Sequence, residues 1–284
     1  MMVVTYSQQT YSLGTNQPLP PQPQYQPQSM YSDYIYVKDP LYELDYCTGV
    51  LIKQQPEFLE AMIGCETENI YHVLGQTQQG VKFLFKCQEK SNCFMRNCIP
   101  SAQRSFNMDI FHITSPAEMT NFSQAYANVS KPFKCTICCL CRPEIVVTLN
   151  INQKIIGKMK HTFTLCDPEF EIYDENNQLK YIVTAYCCQC GLLLRNKLCG
   201  KLSEVEFDIL NPGQKGIIGK ILKKTAEYSE LLTDADSYQI HFPATANPYE
   251  KLLIIALGLM IDYQYFETDS SDEKKKREKN KNNI

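Results

Sequence analysis

Apolar and polar residues alternate with a period of two along several short runs: Ile70 to Val73, Val81 to Phe85, Ile145 to Ile151, Phe170 to Tyr173 and Tyr181 to Thr184. That period, together with the Ile, Val, Tyr and Phe content, predicts β-strands. Gln78-Gln-Gly80 and Asn176-Asn-Gln178 fall between pairs of runs and predict hairpin loops. The core is therefore expected to be mainly β and antiparallel. One stretch breaks the period. From Leu252 to Phe266 the chain is apolar on every helical face, through Leu252, Leu253, Ile254, Ile255, Leu257, Leu259, Met260 and Ile261. A helix of that kind must be enclosed on all sides. Its fifteen residues reach about 22 Å, short of the roughly 30 Å of a bilayer's hydrocarbon core. Asp262 also lies inside it, so protein is the expected enclosure and the rest of the chain the expected wrapper.

Internal echoes support a wrapper built by repetition. Val81-Lys-Phe-Leu-Phe85 resembles Leu179-Lys-Tyr-Ile-Val183, Arg96-Asn97 returns as Arg195-Asn196, and Met108-Asp-Ile110 returns as Phe207-Asp-Ile209, all at nearly the same interval. A second echo sets Ile156-Gly-Lys158 against Ile218-Gly-Lys220, each followed by an acidic turn (Asp167, Asp234) and a strand. Two related sheet halves are expected. A closed barrel threaded by the apolar helix would remove exposed sheet edges and bury the helix in one step.

Composition narrows the class. With 284 residues, 44% hydrophobic and 21% charged, the chain can bury a full core, and a net charge of -3 gives no general attraction to nucleic acid or anionic lipid. Residues 1–45 are rich in Pro, Gln and Tyr, have no Lys or Arg before Lys38, and read as a disordered leader. Pro18-Leu-Pro-Pro21 and Pro20-Pro-Gln-Pro23 are PxxP patterns, a weak signal for SH3-type partners. Residues 269–284 read as a charged tail. The folded domain is expected over 46–268, with the helix at 252–266. Residues 1–14 lack a basic segment followed by an apolar run, and Met2 stands where N-myristoylation requires Gly, so a cytosolic chain is expected. In that reducing compartment the fourteen cysteines are expected to be thiols, metal ligands or modification sites.

Three constellations carry candidate chemistry. Cys135, Cys138, Cys139 and Cys141 lie among apolar residues and are bounded by Lys131, Lys134 and Arg142. Basic groups hold such a segment near anionic lipid while acyl chains enter the bilayer, so S-palmitoylation is the favoured reading. Zinc is the rival, through Cys135/Cys138 and Cys187/Cys190, but the gap between the pairs far exceeds a zinc ribbon's. Next, Asp234 and Asp236 open a twelve-residue window resembling a calcium loop. The window departs at its sixth position, Gln239 in place of Gly, and at its twelfth, Thr245 in place of Glu, while Tyr238 to Phe242 reads as a strand. Only weak Ca²⁺ binding is expected of it. Finally Gly219-Lys220-Ile-Leu-Lys223-Lys224 is either a nuclear-import segment or, on composition, the basic edge of a strand. The four histidines are scattered, and neither HExxH nor a phosphate loop is present.

Taken in order, the Pro/Gln/Tyr-rich leader, Cys135-Thr-Ile-Cys-Cys-Leu-Cys141, Gly219-Lys-Ile-Leu-Lys223, Thr233-Asp-Ala-Asp-Ser-Tyr-Gln-Ile-His-Phe-Pro243 and the helix with Ile261-Asp262 closely resemble phospholipid scramblases. The resemblance covers about residues 44 to 268. It implies a tubby-like closed antiparallel β-barrel of about twelve strands around a central hydrophobic C-terminal helix. It also implies Ca²⁺-responsive, ATP-independent, bidirectional movement of membrane phospholipids between leaflets, transport without a chemical reaction. By the same resemblance the calcium candidates are Asp234, Asp236, Tyr238, Ile240 and Phe242, and Cys135, Cys138, Cys139 and Cys141 carry palmitate at the cytoplasmic face of the plasma membrane. Gly219, Lys220, Lys223 and Lys224 would serve an import receptor when the chain is not acylated. Thr245 stands where the family usually has an acid, and the family's Trp in the import segment is absent, since the chain has no Trp. A lone helix offers no polar groove for a headgroup, and Asp262 in hydrocarbon would cost several kcal/mol. Either the helix leaves the barrel and homo-oligomers build a path, or the protein is a palmitoylated adaptor or signalling module. A cysteine-nucleophile enzyme has no motif behind it.

Overall fold

A computed structural model describes residues 40–55, 68–90, 105–113, 124–133, 142–189, 205–214, 216–224 and 237–266. A short helix α1 (Pro40–Asp45) leads into twelve strands: β1 (Gly49–Gln54), β2 (Ile70–Thr77), β3 (Gly80–Lys90), β4 (Phe106–His112), β5 (Ala127–Lys131), β6 (Glu144–Leu149), β7 (Lys154–His161), β8 (Glu169–Asp174), β9 (Leu179–Thr184), β10 (Val205–Leu210), β11 (Ile217–Lys224) and β12 (Ser237–His241). Helix α2 (Pro248–Ile261) follows and ends in a π-helical turn, Asp262–Phe266. Each strand pairs antiparallel with its chain neighbours, and β12 closes on β1 with Gly49 opposite His241 and Lys53 opposite Ser237. The expected closed barrel around a central helix is what forms.

Period two sets the inward face. In β6, Ile145, Val147 and Leu149 are buried while Glu144, Val146 and Thr148 are partly exposed, and β2 and β8 alternate the same way. The inward residues form one hydrophobic core with α2. Every α2 residue from Glu250 to Ile261 is buried, and enclosing each Leu or Ile contributes about 1.5–3 kcal/mol. Register shifts in β2–β3, β6–β7, β8–β9 and β10–β11 are the bulges that raise local twist and help the sheet curl shut. Gly157 is required by the enclosure. A Cβ there would meet the Tyr173 carbonyl oxygen at 2.3 Å and Leu253 Cδ1 at 2.6 Å.

Helix α2 starts where its sequence dictates. Asn247 Oδ1 accepts from the Glu250 backbone N–H at 3.0 Å, Glu250 Oε2 accepts from the Asn247 N–H at 3.1 Å, and Pro248 occupies the first turn. The helix therefore begins four residues before the expected Leu252.

Three further expectations need correction. The leader expected to run through residue 45 gives way to α1 at Pro40, because Leu41 and Leu44 are buried in the core. The strand expected to reach Ile151 stops at Leu149, since Asn150 to Gln153 turn, Gln153 at φ 52°, and expose Ile151. The two echoes do not describe one duplication. The first falls on β3/β9 and β4/β10, strands six apart in the ring, and the second on β7/β11 and β8/β12, strands four apart.

Candidate functional site

Because all neighbours are antiparallel, connections alternate between the two ends of the barrel. One end, the hairpin end, carries the tight turns β2–β3, β6–β7 and β8–β9 and receives α2 from β12. At the other, the loop end, β5 passes to β6, β7 to β8, β9 to β10 and β11 to β12. Helix α2 enters at the hairpin end and delivers its last turn to the loop end. The strands flanking both the Cys135–Cys141 segment and the Asp234–Asp236 segment also turn over there.

The π-helical turn seats a polar cluster under that rim. Asp262, only 3% exposed, accepts from the Tyr71 hydroxyl at 2.6 Å and from the Tyr238 hydroxyl through its other oxygen. Lys223 Nζ lies 3.6 Å from the same carboxylate and 4.0 Å from the centre of the Phe266 ring. The carboxylate that would be costly in lipid is thus neutralised and hydrogen-bonded inside protein. Beside it, Asn69 Nδ2 donates to the Tyr263 hydroxyl at 3.1 Å and to buried Glu89 at 3.0 Å, and Tyr263 stacks on Phe106 at 4.3 Å. On the far side His161 holds Gln264 at 2.8 Å and the Tyr265 hydroxyl at 3.2 Å. Burial, aided by the Arg142 charge, lowers the His161 imidazole to about 4, so it is neutral at physiological pH.

The helix's entry is fixed as firmly. Lys251 Nζ donates to the carbonyls of Leu44 at 3.3 Å, Asp45 at 2.7 Å and Cys47 at 3.0 Å, tying α2 to the end of α1, and burial lowers its pKa. Glu250 accepts from the Tyr181 hydroxyl at 2.8 Å and from Lys180 at 3.1 Å. A cavity of about 360 Å³ opens at this end, lined by Gln178, Lys180, Tyr181, Asn211, Thr245 and Glu250.

Among the sequence candidates, Cys135, Cys138, Cys139, Cys141, Asp234 and Asp236 lie outside the described residues, as do Pro18 to Pro23. Tyr238, Ile240 and Phe242 are described, and they do not converge. Tyr238 and Ile240 point into the core from β12, Phe242 is buried just past its end, and the Tyr238 hydroxyl is engaged by Asp262. Alternate residues on a strand are about 6.6 Å apart along its axis. Thr245, the window's last position, lies at the hairpin end, across the length of the strand from where β12 begins. A window stretched this way cannot wrap one ion, so the described residues do not fit a calcium loop.

Gly219, Lys220, Lys223 and Lys224 all lie on β11. Lys220 is outward and pairs with Glu206 at 3.0 Å, while Lys223 is buried against Asp262. Leu252, Leu253, Ile254, Ile255, Leu257, Leu259, Met260 and Ile261 all sit at the barrel axis. Cys166 and Cys187, expected as thiols, metal ligands or modification sites, are joined by a disulfide because the β7–β8 turn and the exit of β9 bring their Cα atoms to 5.8 Å. Asp167 lies with them, its Oδ1 accepting the Cys187 N–H at 2.8 Å, but two bonded sulfurs cannot both ligate zinc. Cys87 is fully buried and pushed up to about 12, which keeps it protonated and inert as a nucleophile. Sequence reading missed Tyr71, Asn69, Glu89, His161 and Lys251. The one signal for such a cluster was a carboxylate, Asp262, inside an otherwise apolar helix.

Among the described residues no helix is long and apolar enough to cross a membrane. Comparison with known proteins adds a family to this geometry. The chain is similar to Phospholipid scramblase 1 of Homo sapiens, 30% identical over 229 residues, covering 80% of this chain and 65% of that one. It is 28% identical over 230 residues to Phospholipid scramblase 2 of Bos taurus, covering 79% and 71%, and 26% identical over 220 residues to Phospholipid scramblase family member 5 of Homo sapiens, covering 77% and 73%. The chain thus spans 65% and 64% of the human and rat Phospholipid scramblase 1 proteins it matches. The Scramblase family model matches residues 33–268, which contain α1, all twelve strands and α2. With barrel, central helix and terminal turn inside one continuous match, the chain belongs to the Scramblase family.

Proposed function

We propose that this chain moves phospholipids between the leaflets of a membrane, in both directions and without ATP, from the cytoplasmic face of the plasma membrane. The observation that supports it is the similarity to phospholipid scramblases across the whole barrel. In this reading the process is transport, with no covalent step. Cys135, Cys138, Cys139 and Cys141 carry palmitate and hold the loop end near lipid. Several acyl chains are needed because a single one anchors marginally. In this reading calcium responsiveness rests on Asp234 and Asp236 and not on the β12 residues.

One observation favours a second reading. The helix is locked at both ends, by Lys251 and Glu250 at its entry and by Asp262 at its exit, and an enclosed helix presents no lipid path. A palmitoylated adaptor using the Pro-rich leader, with nuclear entry when unacylated, needs no such path. Purified protein in liposomes, assayed for leaflet exchange with and without Ca²⁺, separates the two. Exchange above empty liposomes is expected of the first reading, and exchange equal to them refutes it in favour of the adaptor. For the anchor, changing all four of Cys135, Cys138, Cys139 and Cys141 to Ala is expected to move the protein from the membrane to the soluble fraction. An unchanged membrane fraction rejects acyl anchoring.

A further inference from the structure

The loop end carries an arc of exposed apolar residues that neither the core nor the polar cluster uses. Phe133, 52% exposed, follows β5; Phe163 and Leu165, 54% and 97% exposed, lie on the β7–β8 connection; and Tyr186, 71% exposed, follows β9. These connections are consecutive around one arc of the ring. Ser130 is opposite Val146 and Glu144 opposite Lys160, and the His161 N–H donates to the Pro143 carbonyl, so the loop ends of β5, β6 and β7 lie together. The Cα atoms of Cys166 and Cys187, which follow Leu165 and Tyr186, are 5.8 Å apart, so the β7–β8 connection and the exit of β9 meet here. Arg142 lies over the Phe163 ring at 4.9 Å.

We infer that this rim, Phe133, Phe163, Leu165 and Tyr186 with Arg142 at its edge, is the surface that the barrel inserts into the headgroup region of a phospholipid bilayer. The inference rests on the proposed membrane role and adds the orientation: loop end down, hairpin end away. Lipid fits the rim better than a protein groove on three counts. Leu165 projects almost wholly clear of the protein, and a bilayer accepts a protruding side chain without a matching cavity. Phe, Tyr and Leu beside an arginine is the composition of an interfacial patch, the cation meeting phosphate while the rings sit at headgroup depth. The nearby carboxylates are engaged by the protein itself, Asp167 by the Cys187 N–H and Glu169 by the Thr162 hydroxyl. Exposed apolar residues also stand at the hairpin end, Tyr42 and Tyr46 at α1, Val81 on β3, Ile151 and Ile155 on the β6–β7 hairpin and Ile217 on β11, but they are divided among separate elements around the ring and lie among the ion pairs Lys82–Glu43 and Lys154–Glu175.

The absence of Trp from the chain allows a direct test. Full-length Leu165→Trp and Ile151→Trp proteins, each with one fluorophore at a highly exposed site, are mixed with phosphatidylcholine vesicles containing phosphatidylserine and brominated lipid. Quenching and a blue shift are expected for Leu165→Trp and neither for Ile151→Trp. Quenching at Ile151→Trp instead, or binding to vesicles with neither probe quenched, overturns the orientation. Failure to bind vesicles at all overturns the rim as a lipid-binding surface. Leu165→Asp, at a position that packs against nothing, is expected to lower vesicle partitioning about tenfold with unchanged thermal unfolding; unchanged partitioning also refutes the inference. Leaflet exchange measured on the same samples keeps the two ideas apart, because docking without exchange removes the transport reading and leaves the rim standing.

Discussion

Removing the carboxylate of Asp262 tests whether the helix is held in the barrel by a closed polar cluster. In Asp262→Ala, two buried tyrosine hydroxyls lose a charged acceptor, at 2.6 Å in the case of Tyr71. Lys223, 3.6 Å away, loses its counter-charge. A hydrogen bond to a charged group contributes about 1.5–3 kcal/mol, and stripping one partner from a buried charge pair costs about 3–5 kcal/mol. These contributions overlap because they share one carboxylate, so the expected loss is about 3–5 kcal/mol. For a domain of this size that lowers Tm by roughly 6 to 20 °C. Chemical and thermal unfolding followed by circular dichroism measures it. Replacing Asp262 by Leu together with Tyr71→Phe, Tyr238→Phe and Lys223→Met removes the carboxylate and its described partners together and is expected to recover at least half of the loss. A cycle between Asp262→Ala and Tyr71→Phe is expected to show coupling of about 1–2 kcal/mol. An Asp262→Ala loss below about 1 kcal/mol with no coupling would refute the reasoning.

Other buried groups give further expected outcomes. His161 is lowered from 6.5 to about 4 by burial and Arg142, so the unfolded chain binds a proton that the folded chain does not. Stability is expected to be unaffected by this group above pH 6.5 and to fall by up to about 3 kcal/mol as pH drops toward 4; a His161→Gln variant with the same slope in urea titrations would contradict this. Gly157→Ala sets a methyl 2.3 Å from the Tyr173 carbonyl oxygen and is expected to destabilise by about 1–3 kcal/mol. Pairing it with Leu253→Ala should not relieve the loss, because the closer clash is with backbone. Lys251→Met removes the ammonium donor from the Leu44, Asp45 and Cys47 carbonyls, of which Leu44 keeps the Cys47 N–H. It is expected to cost about 2–4 kcal/mol and to raise hydrogen exchange in α1, with uniform exchange across the barrel counting against a local role.

What was legible in the sequence is what a local period records. Ile145, Val147 and Leu149 announce a strand face, and Leu252 to Ile261 announce an enclosed helix. The closed barrel followed from adding the two, since an all-apolar helix needs a sheath and a sheet needs its edges paired. Partner identity was not legible. Asp262 finds Tyr71 across 191 residues and Lys251 finds Asp45 across 206, and no short-range pattern encodes such a pairing. The Cys166–Cys187 bond depends on a loop and a strand exit meeting at the rim, again a tertiary matter. Ile151 failed for the opposite reason, its apolar side chain extending a strand pattern into a turn that Asn150, Asn152 and Gln153 dictate. The strand within the calcium window was legible, since Tyr238 to Phe242 reads as extended and the backbone from Ser237 to His241 is a strand.

Since α2 follows all twelve strands in the chain, the barrel's stuffing is translated only after its entire wall. A nascent chain must carry twelve strands whose inward faces have no partner until Pro248 and its successors emerge from the ribosome. Biogenesis is therefore expected to lean on chaperones that shield apolar surface, and a nonsense codon upstream of Pro248 is expected to yield insoluble material for proteolysis, with no working fragment.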